Sequence, residues 1–296
     1  MTRKYLLQAG AFLSMAFSVQ ALAGGNQDFI VGGVTVQAGN PIASSTVLIV
    51  GEVAAAPTQS VQSTKRKSNE TFATADGTEE YICTGSVIAQ DMIVTAAHCV
   101  ADDLNAPTDP SKMWVIFSLD LPKSVQDPSV HTVVNYTYNP GWQGQNASGP
   151  DEHDIAVIHF NGALPAGYAP AQLLNPNVAL TPGTDVTLAG YGIDAGSDST
   201  GASAGTLREV DGVPVLQLLG QTEVVLDQRS GKGACHGDSG GPAFLPVNGV
   251  NYLWGVTNRG YPDDAPDNCI EESVYTRITD YADFINQTMT SLRSQN

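Results

Sequence analysis

From Tyr81 onward the chain alternates short apolar runs with turn-forming residues, and each run has the length of a strand. "SVIAQDMIVTAA" (86–97), "MWVIFSL" (113–119), "HTVVNYTY" (131–138) and "DIAVIHF" (154–160) come first. "DVTLAGYG" (185–192), "REVDGVPVLQL" (208–218), "NYLWGVT" (251–257) and "SVYTRI" (273–278) follow. An earlier run, "TVLIVGEVAA" from Thr46, is of the same kind. Many short runs bounded by Gly, Pro, Asn and Asp predict an antiparallel all-β sandwich or barrel. Only the tail, from Asp280 onward, shows helical spacing, with Tyr281, Ile285, Met289 and Leu292 on one face.

Two stretches break the strand pattern. Ala56 to Glu80 is poor in large apolar residues, carries Lys65, Arg66 and Lys67, and reads as an exposed loop. Asn161 to Gly183 has the proline-rich irregularity of a linker between two halves. No internal repeat is visible. A chain of 296 residues fits one large unit or two packed halves. At this size about three quarters of the unfolded surface is buried, so the core needs neither metal nor disulfide to exist.

The first 23 residues predict an export signal: Arg3 and Lys4, the apolar "YLLQAGAFLSMAFSVQ", then the small-residue site "ALA" at Ala21 to Ala23. No other apolar run is long enough to span a bilayer. The expected mature chain begins at Gly24, is secreted to the periplasm or medium, and keeps no membrane anchor. Export permits disulfides, and Cys83, Cys99, Cys235 and Cys269 allow three pairings. None forms a Cys-x-x-Cys pair, which argues against a zinc ribbon or a thioredoxin-type motif. The formal charge is -17 with 13 basic residues, too few for the basic face that nucleic acid requires. "NET" at Asn69 and "NAS" at Asn146 are glycosylation acceptors only in a host that glycosylates.

The chemistry concentrates in "GACHGDSGGPAF", 233–244. Glycine at this density means that backbone must approach something closely. Ser239 sits among these glycines, and a serine hydroxyl needs a base within hydrogen-bond reach. Five histidines are available. His131 and His159 lie in strands without a local carboxylate, His153 precedes Asp154, and His236 is near Ser239 only in sequence. His98, in "VTAAHCV", has small residues around it and Cys99 beside it. The residues alone leave His98 a candidate base.

"VTAAHC", "HDIAVI" and "GDSGGP", in this order and rough spacing, resemble the trypsin/chymotrypsin family of serine endopeptidases. "IVGG" at Ile30 to Gly33 resembles that family's mature N-terminus, and "LAGYG" and "SVYTRI" match strands of its second half. The resemblance runs from Ile30 to the tail, apart from the loop before Tyr81. It implies two packed six-stranded antiparallel β-barrels with a C-terminal helix and a cleft between the barrels. The barrels would span about 30–160 and 184–279, and the helix about 280–293.

The resemblance also assigns roles. Ser239 would attack the scissile carbonyl and form an acyl-enzyme, His98 would move its proton, and Asp154 would hold the imidazole. The N–H groups of Gly237 and Ser239 would receive the oxyanion. The family pairing is Cys83–Cys99 and Cys235–Cys269. No metal or organic cofactor is implied, and no acidic calcium loop stands out. The implied partners are protein or peptide substrates, and the implied state is a monomer. In this family the newly freed amino group, here that of Ile30, pairs with the aspartate before the serine, here Asp238. "GGNQDF", 24–29, then becomes a short activation peptide cut between Phe29 and Ile30. Phe29 is not basic, so the expected cutter is the enzyme itself or a protease unlike trypsin.

Substrate selection is expected from Gly233, Ala234, His236, Asn258, Arg259, Gly260 and Ser273. Trypsin-like members carry an aspartate where this chain has Gly233. With Ser273 on the opposite wall, an open uncharged slot for an aromatic or large aliphatic P1 side chain is expected. The family's Ser-Trp-Gly is replaced by Asn258, Arg259 and Gly260, with Asn258 directed towards Asp154 or the substrate. Arg259, Lys232 and His236 allow a preference for acidic residues as an alternative, and Glu271 with Glu272 a third, basic one. A protease-shaped binding protein is the competing class, because fold does not guarantee activity. Its usual loss of serine or histidine is not seen here. "GDSGG" also fits the Gly-x-Ser-x-Gly elbow of α/β-hydrolases, but no histidine follows Ser239, as that fold requires.

Overall fold

The computed structural model describes residues 30–53, 71–73, 79–102, 104, 106–144, 149–198, 200–262 and 269–295. The expected signal and activation peptides, Asn69, Asn146 and most of the 56–80 loop lie outside these residues.

Six strands close the first barrel: β1 (Thr46–Val53), β2 (Glu79–Ala89), β3 (Met92–Thr95), β4 (Met113–Ile116), β5 (Val130–Tyr138) and β6 (Ala156–Phe160). They pair antiparallel in the ring β1-β4-β5-β6-β3-β2 and back to β1. Six more close the second: β7 (Asp185–Gly190), β8 (Arg208–Leu219), β9 (Glu223–Asp227), β10 (Pro242–Val247), β11 (Val250–Tyr261) and β12 (Glu272–Arg277). Their ring runs β8-β7-β10-β11-β12-β9 and back to β8. Closure leaves neither ring with a free edge, which is how an all-β chain avoids templating aggregation. Both barrels and the terminal helix agree with the architecture that the resemblance implied.

Strand ends differ in detail from the apolar pattern. β2 starts at Glu79, inside the stretch expected to be loop, because Glu79 and Glu80 pair with Val53 and Glu52 of β1. Thr71–Ala73 adds a short strand to the same end of β2. In the proline-rich linker, Gln172–Leu173 runs parallel to β11 at Tyr252 and Leu253.

The two ends of the chain cross over. Ile30 is fully buried in the core of the second barrel, Val31 bridges Gly233, and Val34–Thr35 pairs with β8. The first residues of the domain, expected in the first barrel, therefore belong to the second. The helix α1 (Ala282–Ser294), which follows the second barrel, packs on β5 and β6 of the first. Its buried face carries Ile285, Thr288 and Leu292, and Tyr281 is buried just before it. Burial of an Ile or Leu of this kind is worth about 1.5–3 kcal/mol. A 3₁₀ turn over Ile278–Tyr281 leads into the helix, so α1 starts two residues later than the spacing predicts.

Candidate active site

His98 lies in a 3₁₀ turn, Ala97–Cys99, directly after β3, and is 2% exposed. Ala96, Ala97, Cys99, Val100 and Ala101 around it are all fully buried, which is why small residues flank it. The turn is tied down from two sides. Cys99 is bonded to Cys83 of β2, and the Tyr81 hydroxyl donates to the Cys99 carbonyl at 2.8 Å. The disulfide closes a loop of sequence separation 16, worth about 3 kcal/mol on the loop-entropy view. Trp142, whose indole N–H donates to the Ala101 carbonyl, lies tilted against the imidazole at 6.5 Å between ring centroids.

Asp154 immediately precedes Ile155 and β6 and is fully buried. It accepts twice from His98: the backbone N–H donates to Oδ1 at 2.9 Å, and Nδ1 donates to Oδ2 at 2.6 Å. The second bond fixes the proton on Nδ1 and leaves Nε2 as the acceptor. Nε2 is buried and has no hydrogen-bond partner among the described residues. Burial pushes the His98 imidazole down, but the charge and hydrogen bond of Asp154 outweigh it. Asp102 and Glu152 add to the same effect, and the net position lies above the usual histidine value.

Ser239 is 5% exposed and sits in a loop held by the first barrel. Thr84 of β2 donates its N–H to the Ser239 carbonyl at 2.8 Å and its hydroxyl to the Gly237 carbonyl at 3.0 Å. The same hydroxyl accepts from the N–H of Tyr191 at 3.1 Å. Asp238, Gly240 and Gly241 each donate their N–H to a backbone carbonyl. Gly237 and Ser239, among the described residues, do not, so their N–H groups are available to a ligand. Gly237 has φ +93, and a β-carbon there would press on the Cα of Gly192. Backbone shape and space both require glycine at that point.

Asp238 is buried beneath this loop. Oδ1 accepts from Gly192 N–H and Oδ2 from Cys235 N–H, both at 2.8 Å. Burial raises its pKa to about 7, against the two N–H donors and the charge of Arg208. In the full-length chain the Ile30 nitrogen is a peptide amide and carries no charge.

The pocket residues divide. Gly260 pairs with Ser273 across β11 and β12, and Cys235 is bonded to Cys269. The space beside Gly233, expected to be open, is filled by the buried carboxamide of Gln228. Asn258 does not reach Asp154. Its Nδ2 donates to Glu223 Oε1 at 3.2 Å and to Thr276 Oγ1 at 3.4 Å. Arg259 turns into the protein, where Nη1 and Nη2 bond both oxygens of Glu223 at 3.0 and 3.2 Å. It also contacts Glu152 at 3.3 Å and donates to the Gly149 carbonyl. Lys232 donates to the Asp211 carbonyl on β8, and Glu272 faces Arg229 at 3.8 Å.

His131 and His159 are held elsewhere, by the Asn161 carbonyl and near Asp91, and His153 bonds the Tyr281 hydroxyl. Cys83, His98 and Cys99 cluster, as do Cys235, His236 and Cys269, but every sulfur involved is in a disulfide and offers no thiolate. Sequence reasoning missed Thr84, Glu152, Arg208, Glu223 and Gln228. Each is a single polar residue whose role depends on a partner from another strand or loop.

Two closed barrels, with a buried His–Asp pair on the turn whose Cys99 contacts the carbonyl of Ser239 in a glycine-rich loop, define the chymotrypsin-fold class of peptidases. The family model described as Trypsin matches residues 49–285, and the chain belongs to that family of serine endopeptidases. It is also 30% identical over 229 residues to Brachyurin of Leptuca pugilator, a span of 72% of this chain and 89% of that protein.

Proposed function

We propose that this serine endopeptidase cuts peptide bonds through Ser239, His98 and Asp154, by way of an acyl-enzyme. The observation that carries the reading is the buried His98–Asp154 pair, with Nδ1 committed to the carboxylate and Nε2 left free to accept. Asp154 holds the neutral tautomer that a base needs and stabilises the imidazolium formed when Ser239 attacks. His98 then delivers the proton to the leaving amine. The unpaired N–H groups of Gly237 and Ser239 receive the oxyanion, each donor worth about 2.7–4 kcal/mol of transition-state stabilisation. No metal enters this scheme. The side chain that lies against Gly233 is the uncharged Gln228, which favours uncharged P1 side chains over acidic or basic ones. The sequence reading places aromatic and large apolar residues first among them.

The enzyme is exported through residues 1–23 and made as a zymogen opened between Phe29 and Ile30. No helix among the described residues is long and apolar enough to cross a membrane. The freed Ile30 ammonium adds a positive charge at Asp238 to that of Arg208. The test compares the N-terminus and intact mass of wild type with those of Ser239→Ala. Wild type starting at Ile30 and the variant at Gly24 means that Ser239 performs the cut. Both starting at Ile30 assigns the cut to another protease, and both retaining Gly24 removes the zymogen reading. On a peptide substrate, Ser239→Ala and His98→Ala each lower kcat by about 10⁴-fold or more. Unchanged activity in either variant refutes the triad.

A further inference from the structure

The space beside Gly233, where the family resemblance puts the base of the P1 slot, has an occupant that belongs to the chain itself. Gln228 follows the last residue of β9, and its N–H donates to the Glu271 carbonyl at 3.0 Å, which fixes it at the foot of β12. Its side chain turns inward and the residue is 2% exposed. Oε1 accepts from Ala234 N–H at 2.7 Å. Nε2 donates to the carbonyls of Ala234 at 3.1 Å and Cys269 at 3.2 Å. Both amide protons are therefore used, and the carboxamide spans the two walls of the slot. A β-carbon at Gly233 would overlap Cγ, Cδ and Oε1 of Gln228. The φ of Gly233 lies outside the left-handed region, so room, not backbone freedom, demands glycine there. The missing side chain at 233 and the inserted carboxamide of 228 are two halves of one feature.

We propose that Gln228 is the floor of the P1 slot and restricts this peptidase to small and medium-sized uncharged P1 side chains. The inference rests on the serine-endopeptidase reading above and narrows its substrate class. An aromatic ring entering to full depth must expel the carboxamide. That would strand the Ala234 N–H and the Ala234 and Cys269 carbonyls in a buried site, and unpaired buried polar groups are costly. An alanine, valine or leucine side chain needs no such displacement. Among the described residues, Arg259 is held by Glu223 and Lys232 by the Asp211 carbonyl, so neither brings its charge to the floor. Phe29 then becomes a poor P1 residue for self-cleavage, and the cut before Ile30 falls to another protease.

The experiment uses the chain starting at Ile30, released from a fusion that leaves no extra residue. Diisopropyl fluorophosphate, which has no side chain for the slot, is applied first. Failure to label wild type refutes the serine-peptidase reading itself and removes the basis of the floor. Four peptide anilides that differ only at P1 (Ala, Val, Leu, Phe) are then compared on wild type and Gln228→Ala. The expected result is a wild-type kcat/KM for the best of Ala, Val and Leu at least tenfold above Phe. In Gln228→Ala the Phe-to-Ala ratio rises at least tenfold. A merely structural brace would lower all four substrates alike and leave the ratio unmoved. That result, or a wild type that prefers Phe, overturns the proposal. If Gln228→Ala fails to fold, Gln228→Asn, one methylene shorter, is read by the same ratio, with a smaller rise expected and an unmoved ratio again overturning it.

Discussion

His98 feels three carboxylates, Asp154, Asp102 and Glu152, and each favours its protonated form. A general base works only when neutral, so the acidic limb of kcat/KM against pH reports this imidazole. Glu152→Gln removes one of the charges without touching the His98–Asp154 bond, and the limb is expected to move to lower pH. Asp91→Asn, whose charge faces Arg293 and His159 instead, leaves the limb in place. An unshifted limb in Glu152→Gln shows that solvent screens the pair completely. At this scale the proposed trio could be named from the sequence, because a serine nucleophile restricts which residue types can serve it. Motifs such as "VTAAHC" and "GDSGGP" also keep the small residues that packing around the trio requires. Gln228 and Glu223 were not legible. Nothing local says that Gln228 turns inward, and Gly233 read in isolation signals empty space rather than space already filled.

The hairpin joining β8 and β9 is short, only Gly220–Thr222 between the strands. It is closed by a carboxylate from the other half of the molecule. Asp151 accepts from the N–H groups of Gln221 and Thr222 and from the Thr222 hydroxyl. Gly220 has φ +62, and a β-carbon there would overlap the Asp151 carboxylate. Asp151 lies three residues before Asp154, so the hairpin helps to seat the segment that delivers the carboxylate bonded to His98. Asp151→Ala is expected to cost on the order of 1–2 kcal/mol in urea unfolding and to lower kcat, with Thr222→Val showing a weaker effect in the same direction. Full stability and activity in Asp151→Ala would show that water replaces the carboxylate without loss. The strands were legible because their apolar runs are bounded by turn residues. The start of β2 at Glu79 was not, because cross-strand pairing, not apolarity, recruits Glu79 and Glu80. Helical spacing found α1, while the 3₁₀ turn before it follows from Tyr281 docking on His153 and Thr222.

Besides the Asp151 contact, the barrels are held together by the exchanged ends of the chain, the Thr84 bridge, and the cluster of Arg259 with Glu223 and Glu152. Arg259 is the cation of that cluster and is mostly buried beside two carboxylates. Arg259→Met strands both charges and is expected to cost roughly 3–5 kcal/mol, with partial recovery in Arg259→Met/Glu223→Gln. An unaltered melting temperature in the single variant would show that the carboxylates find water instead. A second imbalance of charge lies beneath the loop of Gly237 to Ser239, where burial pushes the Asp238 carboxyl up to about 7, well above the usual aspartate range. The sign follows from proton counting. Between about pH 4 and pH 7 the folded state holds a proton on Asp238 that the unfolded state has lost, so stability falls as pH rises through this window. Other carboxylates slope the opposite way, because hydrogen bonds lower Asp151 and Asp198. The contribution of Asp238 must therefore be read as a difference. In uncut Ser239→Ala, the urea midpoint is expected to fall from pH 4 to pH 7 relative to the same chain carrying Asp238→Asn. In chains starting at Ile30 that relative fall should shrink, because the new ammonium favours the ionised aspartate. Equal slopes in cut and uncut chains would mean that Ile30 never reaches Asp238. The zymogen reading would then lose its physical basis, whichever protease makes the cut.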